Sequence, residues 1–86
     1  MTDGDEETMD EPLHRIDVGG CSPALALIAT RDAMRQLPRA GWLEIASDDR
    51  ETAEETLGAY FEKRRLAYEL ERRPDGRYRV RVRLAS

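Results

Sequence analysis

Two segments near the end of the chain alternate strictly between apolar and polar residues. They are Leu66-Ala67-Tyr68-Glu69-Leu70-Glu71 and Arg77 to Leu84, the latter with Arg77, Arg79, Arg81 and Arg83 on one face and Tyr78, Val80, Val82 and Leu84 on the other. Successive side chains of a strand point to opposite sides, so a period of two is the pattern of a sheet with one covered and one open face. Pro74-Asp75-Gly76 between the segments is turn chemistry, which makes the pair a hairpin. A lone hairpin is not stable in water, so the rest of the chain must supply further strands and a layer over the apolar side.

The preceding sequence supplies both. Leu13 to Val18 predicts a short strand with Ile16 and Val18 on one face and Arg15 and Asp17 on the other, ended by Gly19-Gly20. Ser22 is a good N-cap, and Pro23 suits the first helical position because its missing N–H would be unpaired there in any case. The helix is expected to run to about Leu37, with Leu27, Thr30, Met34 and Leu37 along its buried stripe and Ala24 and Ile28 beside it. Arg31, Asp32 and Arg35 are its solvated side, and Pro38 and Gly41 close it. Trp42 to Ala46 predicts the next strand, Leu43 and Ile45 pointing one way and Trp42, Glu44 and Ala46 the other.

Asp48 stands three residues before Glu51, as in a capping box, and opens a second helix expected to reach about Arg64. Its stripe is Ala53, Leu57, Tyr60 and Phe61, weakened slightly by Gly58. The element order is thus β-α-β-α-β-β. The economical way to bury these stripes is an α+β two-layer sandwich, a four-stranded mixed sheet with two helices on one face, which right-handed crossover places together.

At 86 residues, with one Trp and one Phe, the core is small and mostly aliphatic, burying roughly 60% of the unfolded surface. That size suits a carrier, an adaptor or a nucleic-acid module better than multi-step catalysis in a deep cleft. A single cysteine makes no internal disulfide, and there is no charged-then-apolar leader and no long apolar run, so a reduced, cytoplasmic protein with no membrane contact is expected. The net charge of -4 hides an asymmetry: Asp3, Asp5, Glu6, Glu7, Asp10 and Glu11 take six of the 18 acids, leaving 12 against 14 Lys and Arg. Residues 1–12 are expected to be a disordered, solubilising tail, with a tail lying over a basic surface as an internal competitor the alternative, and residues 13–86 to be the domain.

The one cysteine sits in the turn Asp17-Val18-Gly19-Gly20-Cys21-Ser22-Pro23, between a strand and a helix start. A helix N-terminus carries unpaired N–H groups and about half a positive charge, so a thiol beside it, between Gly20 and Ser22, is placed for nucleophilic work. A free cysteine serving as a small buried hydrophobe is the plain alternative.

Asp17, Gly20, Pro23, Pro38, the apolar strand from Leu43 to Ala46, Asp48-Asp49 and the element order together resemble the TusA/SirA family, over about Leu13 to Leu84. The resemblance implies a two-layer sandwich whose Cys-Pro-x-Pro motif accepts persulfide sulfur from a cysteine desulfurase or rhodanese and hands it to an acceptor protein. The activity implied is that of a sulfurtransferase, working without a cofactor, and the carrier implied here is Cys21, supported by Gly20, Ser22 and Pro23. The motif itself is displaced. Counted from Asp17 and Gly20, Pro23 falls on the family's cysteine, and Ala24 and Ala26 fall on its prolines. Anchored on the helix-starting proline, Ser22-Pro23 aligns with Cys-Pro, at the cost of one residue deleted in the turn and one inserted after the first helix, and Leu25 replaces the second proline. In both registers Cys21 precedes the family's position, so a degenerate adaptor that keeps the docking surface without sulfur transfer is the second reading.

The arginine stripe gives a third. Arg77, Arg79, Arg81 and Arg83 on an open sheet face suit a phosphate, an RNA or an acidic partner. Against nucleic acid, Glu69 and Glu71 on the preceding strand face the same way and are expected to pair with Arg79 and Arg81, and Trp42 is the only aromatic on that face. His14 has no second histidine and no cysteine or carboxylate at metal-ligand spacing, so no metal site is expected.

Overall fold

The computed structural model describes residues 12–84, so the acidic stretch apart from Pro12 lies outside the described residues. Its elements follow the expected order: β1 (Leu13–Asp17), α1 (Pro23–Gln36), β2 (Trp42–Ser47), a second helix α2 (Glu51–Gly58 continuing as Ala59–Lys63), β3 (Tyr68–Arg72) and β4 (Tyr78–Arg83). The sheet order is β1-β2-β4-β3, with β1 parallel to β2 and the other neighbours antiparallel. Both helices cover one face of this mixed sheet. Leu43, Ile45, Val80 and Val82 point into that layer and are fully buried with Leu57 and Phe61. The opposite face carries Arg15, Glu44 and Arg81 side by side on three adjacent strands.

Three local details differ from the sequence reading, each for a physical reason. The buried side of α1 is Ala26 and Thr30, with Leu27 and Met34 only partly covered, while Leu25 and Ile28 are 58% and 52% exposed. Small residues at the inner face let the helix approach α2 and the sheet closely, which turns the bulky pair outward. The cap of α2 is Asp49 rather than Asp48: Asp49 Oδ2 accepts from the Thr52 amide at 3.0 Å and the Thr52 hydroxyl at 2.9 Å. Strand β3 begins at Tyr68 instead of Leu66, because Arg65 takes a left-handed φ of 58° and Leu66 N–H bonds back to Phe61 O at 2.9 Å. That pairing, with Arg65 N–H on Glu62 O, is a Schellman stop, so Leu66 belongs to the helix end.

The first part of α2, Glu51–Gly58, is wound as a π-helix. Ala53, Leu57 and Phe61 recur every four residues, a spacing that drifts around an α-helix of 3.6 residues per turn and that a wider winding holds closer to one line. Gly58 lies under the Tyr68 ring, where an added Cβ would stand 3.3 Å from the phenol oxygen. Tyr68 in turn donates to Glu62 Oε2 at 2.6 Å, which with burial raises its hydroxyl above the ordinary value of 10.0.

Candidate functional site

The turn after β1 is built by short-range bonds that leave the thiol outside. Val18 N–H bonds to Ala46 O at 2.8 Å, fixing the end of β1 on β2, and Cys21 N–H closes a turn on Val18 O at 3.0 Å. Gly20, at φ 80°, takes the left-handed position that such a turn requires. Ser22 is the N-cap of α1, its hydroxyl accepting from Leu25 N–H at 3.3 Å and its carbonyl from Ala26 N–H at 2.9 Å. Pro23 occupies the first helical position. Cys21 is exposed, one residue before the cap. The structure therefore places Gly20 and Cys21 in the turn, Ser22 at the cap and Pro23 at the first helical position.

Two long-range bonds lock this turn to the rest of the domain. Asp17 Oδ1 accepts from Gly19 N–H at 2.8 Å and from Arg77 Nη2 at 2.9 Å, joining the end of β1 to the residue before β4. Asp48 Oδ1 receives Gly20 N–H at 3.4 Å from the loop before α2. Gly19 lies close against this pair: a Cβ there would stand 2.7 Å from Arg77 Nη2, so the flexible guanidinium would have to shift to make room.

The Arg77 hydrogen bond, then the Gly19 amide, hold the Asp17 carboxyl below its ordinary 3.8, and the Thr52 hydroxyl and amide do the same for Asp49. Carboxylates depressed in the fold stabilise it at all pH above their unfolded value and lose that contribution as pH falls through the folded value. The melting temperature is therefore expected to be level near neutrality and to fall in acid below 3.8. Asp17→Asn is expected to melt lower than the parent at pH 7, the difference closing at the acid end; a pH-independent difference would show that the charge on Asp17 is not what binds the turn.

The arginine stripe divides into separate structural roles. Arg77 serves the thiol turn. Arg79 pairs with Glu71, as expected, and lies 3.9 Å from Glu44. Arg81 pairs through Nε with Glu44 Oε1 at 3.0 Å rather than with Glu69, which stands opposite it in the register and makes no ion pair among the described residues. Glu44 is central, flanked by β1 and β4, and also takes Arg15 at 3.4 Å, whereas Glu69 sits exposed on an edge strand. Arg83 lies over the Trp42 ring, 5.3 Å from its centroid. A shallow hollow of about 290 Å³ on this face is lined by Arg15, Arg73, Arg77 and Arg79, but Glu44 and Asp75 line it too.

Glu44, only 14% exposed, is the carboxylate that three guanidinium groups share. Glu44→Gln is expected to cost about 1.5–3 kcal/mol, the range for hydrogen bonds to charged groups. Its thermal unfolding should show a loss of roughly 6–24 °C. A change no larger than that of Glu69→Gln would contradict the central role.

Among the described residues no group of His, Cys, Asp and Glu is placed to hold a metal ion, and no helix is long and apolar enough to cross a membrane. His14 lies on the core side of β1, opposite Leu43 in the register, its Nε2 buried without a hydrogen-bond partner. What sequence reasoning missed is the exposed pair Leu25 and Ile28, one turn apart in α1 directly beyond the thiol turn. Leu25, Leu27 and Ile28 are all apolar, so composition alone left the helix phase open.

No family model matches this chain, and no curated protein matches it. Among solved structures, the SirA-like protein from Desulfitobacterium hafniense superposes with a TM-score of 0.74 over 87% of this chain and 100% of its own, at 17% sequence identity. The chain thus has the SirA-like fold.

Proposed function

We propose that this protein is a small sulfur carrier that holds sulfane sulfur on Cys21. The observation that carries the reading is an exposed thiol on the strand-to-helix turn of a SirA-like fold, followed in the first half of α1 by the exposed apolar pair Leu25 and Ile28. Exposed large apolar side chains clustered at one place mark a contact surface, and a carrier needs one for each protein it meets. Here the surface and the nucleophile lie on the same helix end.

In the transfer, the Cys21 thiolate attacks the outer sulfur of a donor persulfide. The donor's S–S bond breaks, Cys21 becomes the persulfide, and the donor leaves as a thiolate. The sulfane sulfur moves without net oxidation, so no cofactor takes part. Ser22 fixes the helix start by capping it, and the Asp17–Arg77 bond ties the end of β1 to the residue before β4. The partners are a donor of the cysteine desulfurase or rhodanese kind and an acceptor thiol protein, in a reducing compartment such as the cytoplasm.

Incubation with a cysteine desulfurase and cysteine is expected to add the mass of one sulfur atom to the intact chain, and none to Cys21→Ser. The double variant Leu25→Asp, Ile28→Asp is expected to lose loading by the protein donor while inorganic polysulfide still loads it. Absence of loading from both sources would overturn the carrier reading. It would favour an adaptor, which a serine rather than a cysteine at the helix cap also suits.

A further inference from the structure

The end of the domain opposite Cys21 holds a groove of about 460 Å³ between the C-terminal ends of α1 and α2 and the end of β4. Arg31, Arg35, Arg39, Arg64 and Arg83 line it over an apolar floor that includes Met34 and Leu66, and among the described residues no carboxylate lines it. Arg31 and Arg39 have no ionic partner among the described residues. Arg35 has a loose pair with Asp32 at 3.7 Å, and Arg64 lies over the Tyr60 ring, 4.9 Å from its centroid. Unlike the open sheet face, where Glu44 and Glu71 answer Arg79 and Arg81, this groove holds in Arg31 and Arg39 two guanidinium groups that no carboxylate among the described residues pairs with.

The described chain begins beside it. Pro12 O accepts from Trp42 N–H at 2.9 Å, and the neighbouring Gly41 O accepts from the N–H of Leu84, a lining residue, at 2.9 Å. Residues 1–11 therefore join the domain at the groove's own end. They carry Asp3, Asp5, Glu6, Glu7, Asp10 and Glu11, no Lys or Arg, and Met9 as an apolar side chain. Extended, eleven residues span up to about 36 Å, enough to cross the groove. A segment tethered this closely meets its site at an effective concentration in the millimolar range, so contacts too weak to hold a free peptide hold this one.

We propose that the arginine groove is a docking site for acidic peptide and that its occupant is the chain's own residues 1–11. The tail is then an internal competitor, and a partner's acidic segment gains the groove by displacing it. The binding is electrostatic between exposed groups, so it weakens steeply with salt and adds little to the melting temperature.

Backbone amide spectra of the full chain test this, comparing the parent with a variant whose tail is neutralised (Asp3, Asp5 and Asp10→Asn; Glu6, Glu7 and Glu11→Gln). Neutralising the tail is expected to shift the amides of Arg31, Arg39, Arg64 and Leu84 at low salt. The same difference should vanish at high salt. The reverse variant, Arg39→Glu with Arg64→Glu, is expected to shift the amides of residues 2–11 at low salt, independently of protein concentration. Shifts confined to the tail, or centred on Arg79 and Arg81, would overturn the proposal, as would shifts that grow with protein concentration and so point to a second copy.

Discussion

Phe61→Ala is expected to leave the domain largely unfolded at room temperature. Phe61 is the largest of the fully buried side chains, and its ring packs 5.7 Å from those of Tyr60 and Tyr68, across the join between α2 and the hairpin. Removing a buried phenylalanine costs about 3–5 kcal/mol in lost burial and residual cavity. A chain this short has a total stability near the lower end of the usual 5–15 kcal/mol, so the loss is comparable to the whole. Far-ultraviolet circular dichroism against denaturant would show the midpoint moving close to zero denaturant. Phe61→Leu keeps most of the volume and is expected to lose about 1.5 kcal/mol or less. Equal losses for the two variants would mean that ring packing, rather than filled volume, holds the layers.

The second large effect is chemical. Cys21→Ser is expected to abolish sulfur uptake completely with an unchanged fold, since the Cys21 side chain is exposed and the contact that residue makes in the turn runs through its backbone N–H. Adding Ser22→Cys to that variant moves the thiol onto the cap itself, at the head of α1 and still beside Leu25. Loading by a persulfide donor is expected to return, at a cost of about 1 kcal/mol for the lost hydroxyl cap. Return of loading in this double variant places the requirement on the turn and the helix end; continued failure would confine it to the geometry of position 21.

The order of elements was legible because each signal was local: the alternation of Arg77 to Leu84, the Ser22-Pro23 helix start and the Pro74-Asp75-Gly76 turn act within a few residues. The turn around Cys21 was legible for the same reason. The features that misled or escaped are those decided at a distance. Asp48 and Asp49 are equivalent as caps in sequence, and the choice fell to Asp49, whose N–H bonds to Ser47 Oγ at 3.2 Å, while Asp48 turned to the Gly20 amide. Arg81 chose Glu44 over Glu69 because the sheet order places β2 beside β4, a fact no stretch of sequence contains. The outward face of α1 depended on the close approach that Ala26 and Thr30 allow, and Leu25 and Ile28 became surface as a result. The arginine groove draws residues from both helices and β4 and had no local signature.

Cyanolysis tests the central claim most directly, because cyanide removes sulfane sulfur and leaves a thiol: the persulfide's outer sulfur departs as thiocyanate and its inner sulfur remains on the protein. The chain is loaded with labelled sulfur from a cysteine desulfurase, separated from the donor and treated with cyanide. The account predicts labelled thiocyanate in a stoichiometric amount per loaded chain, recovery of a free Cys21 thiol that loads a second time, and no label on Cys21→Ser. Label that stays with the donor, or that appears equally on Cys21→Ser, would contradict it.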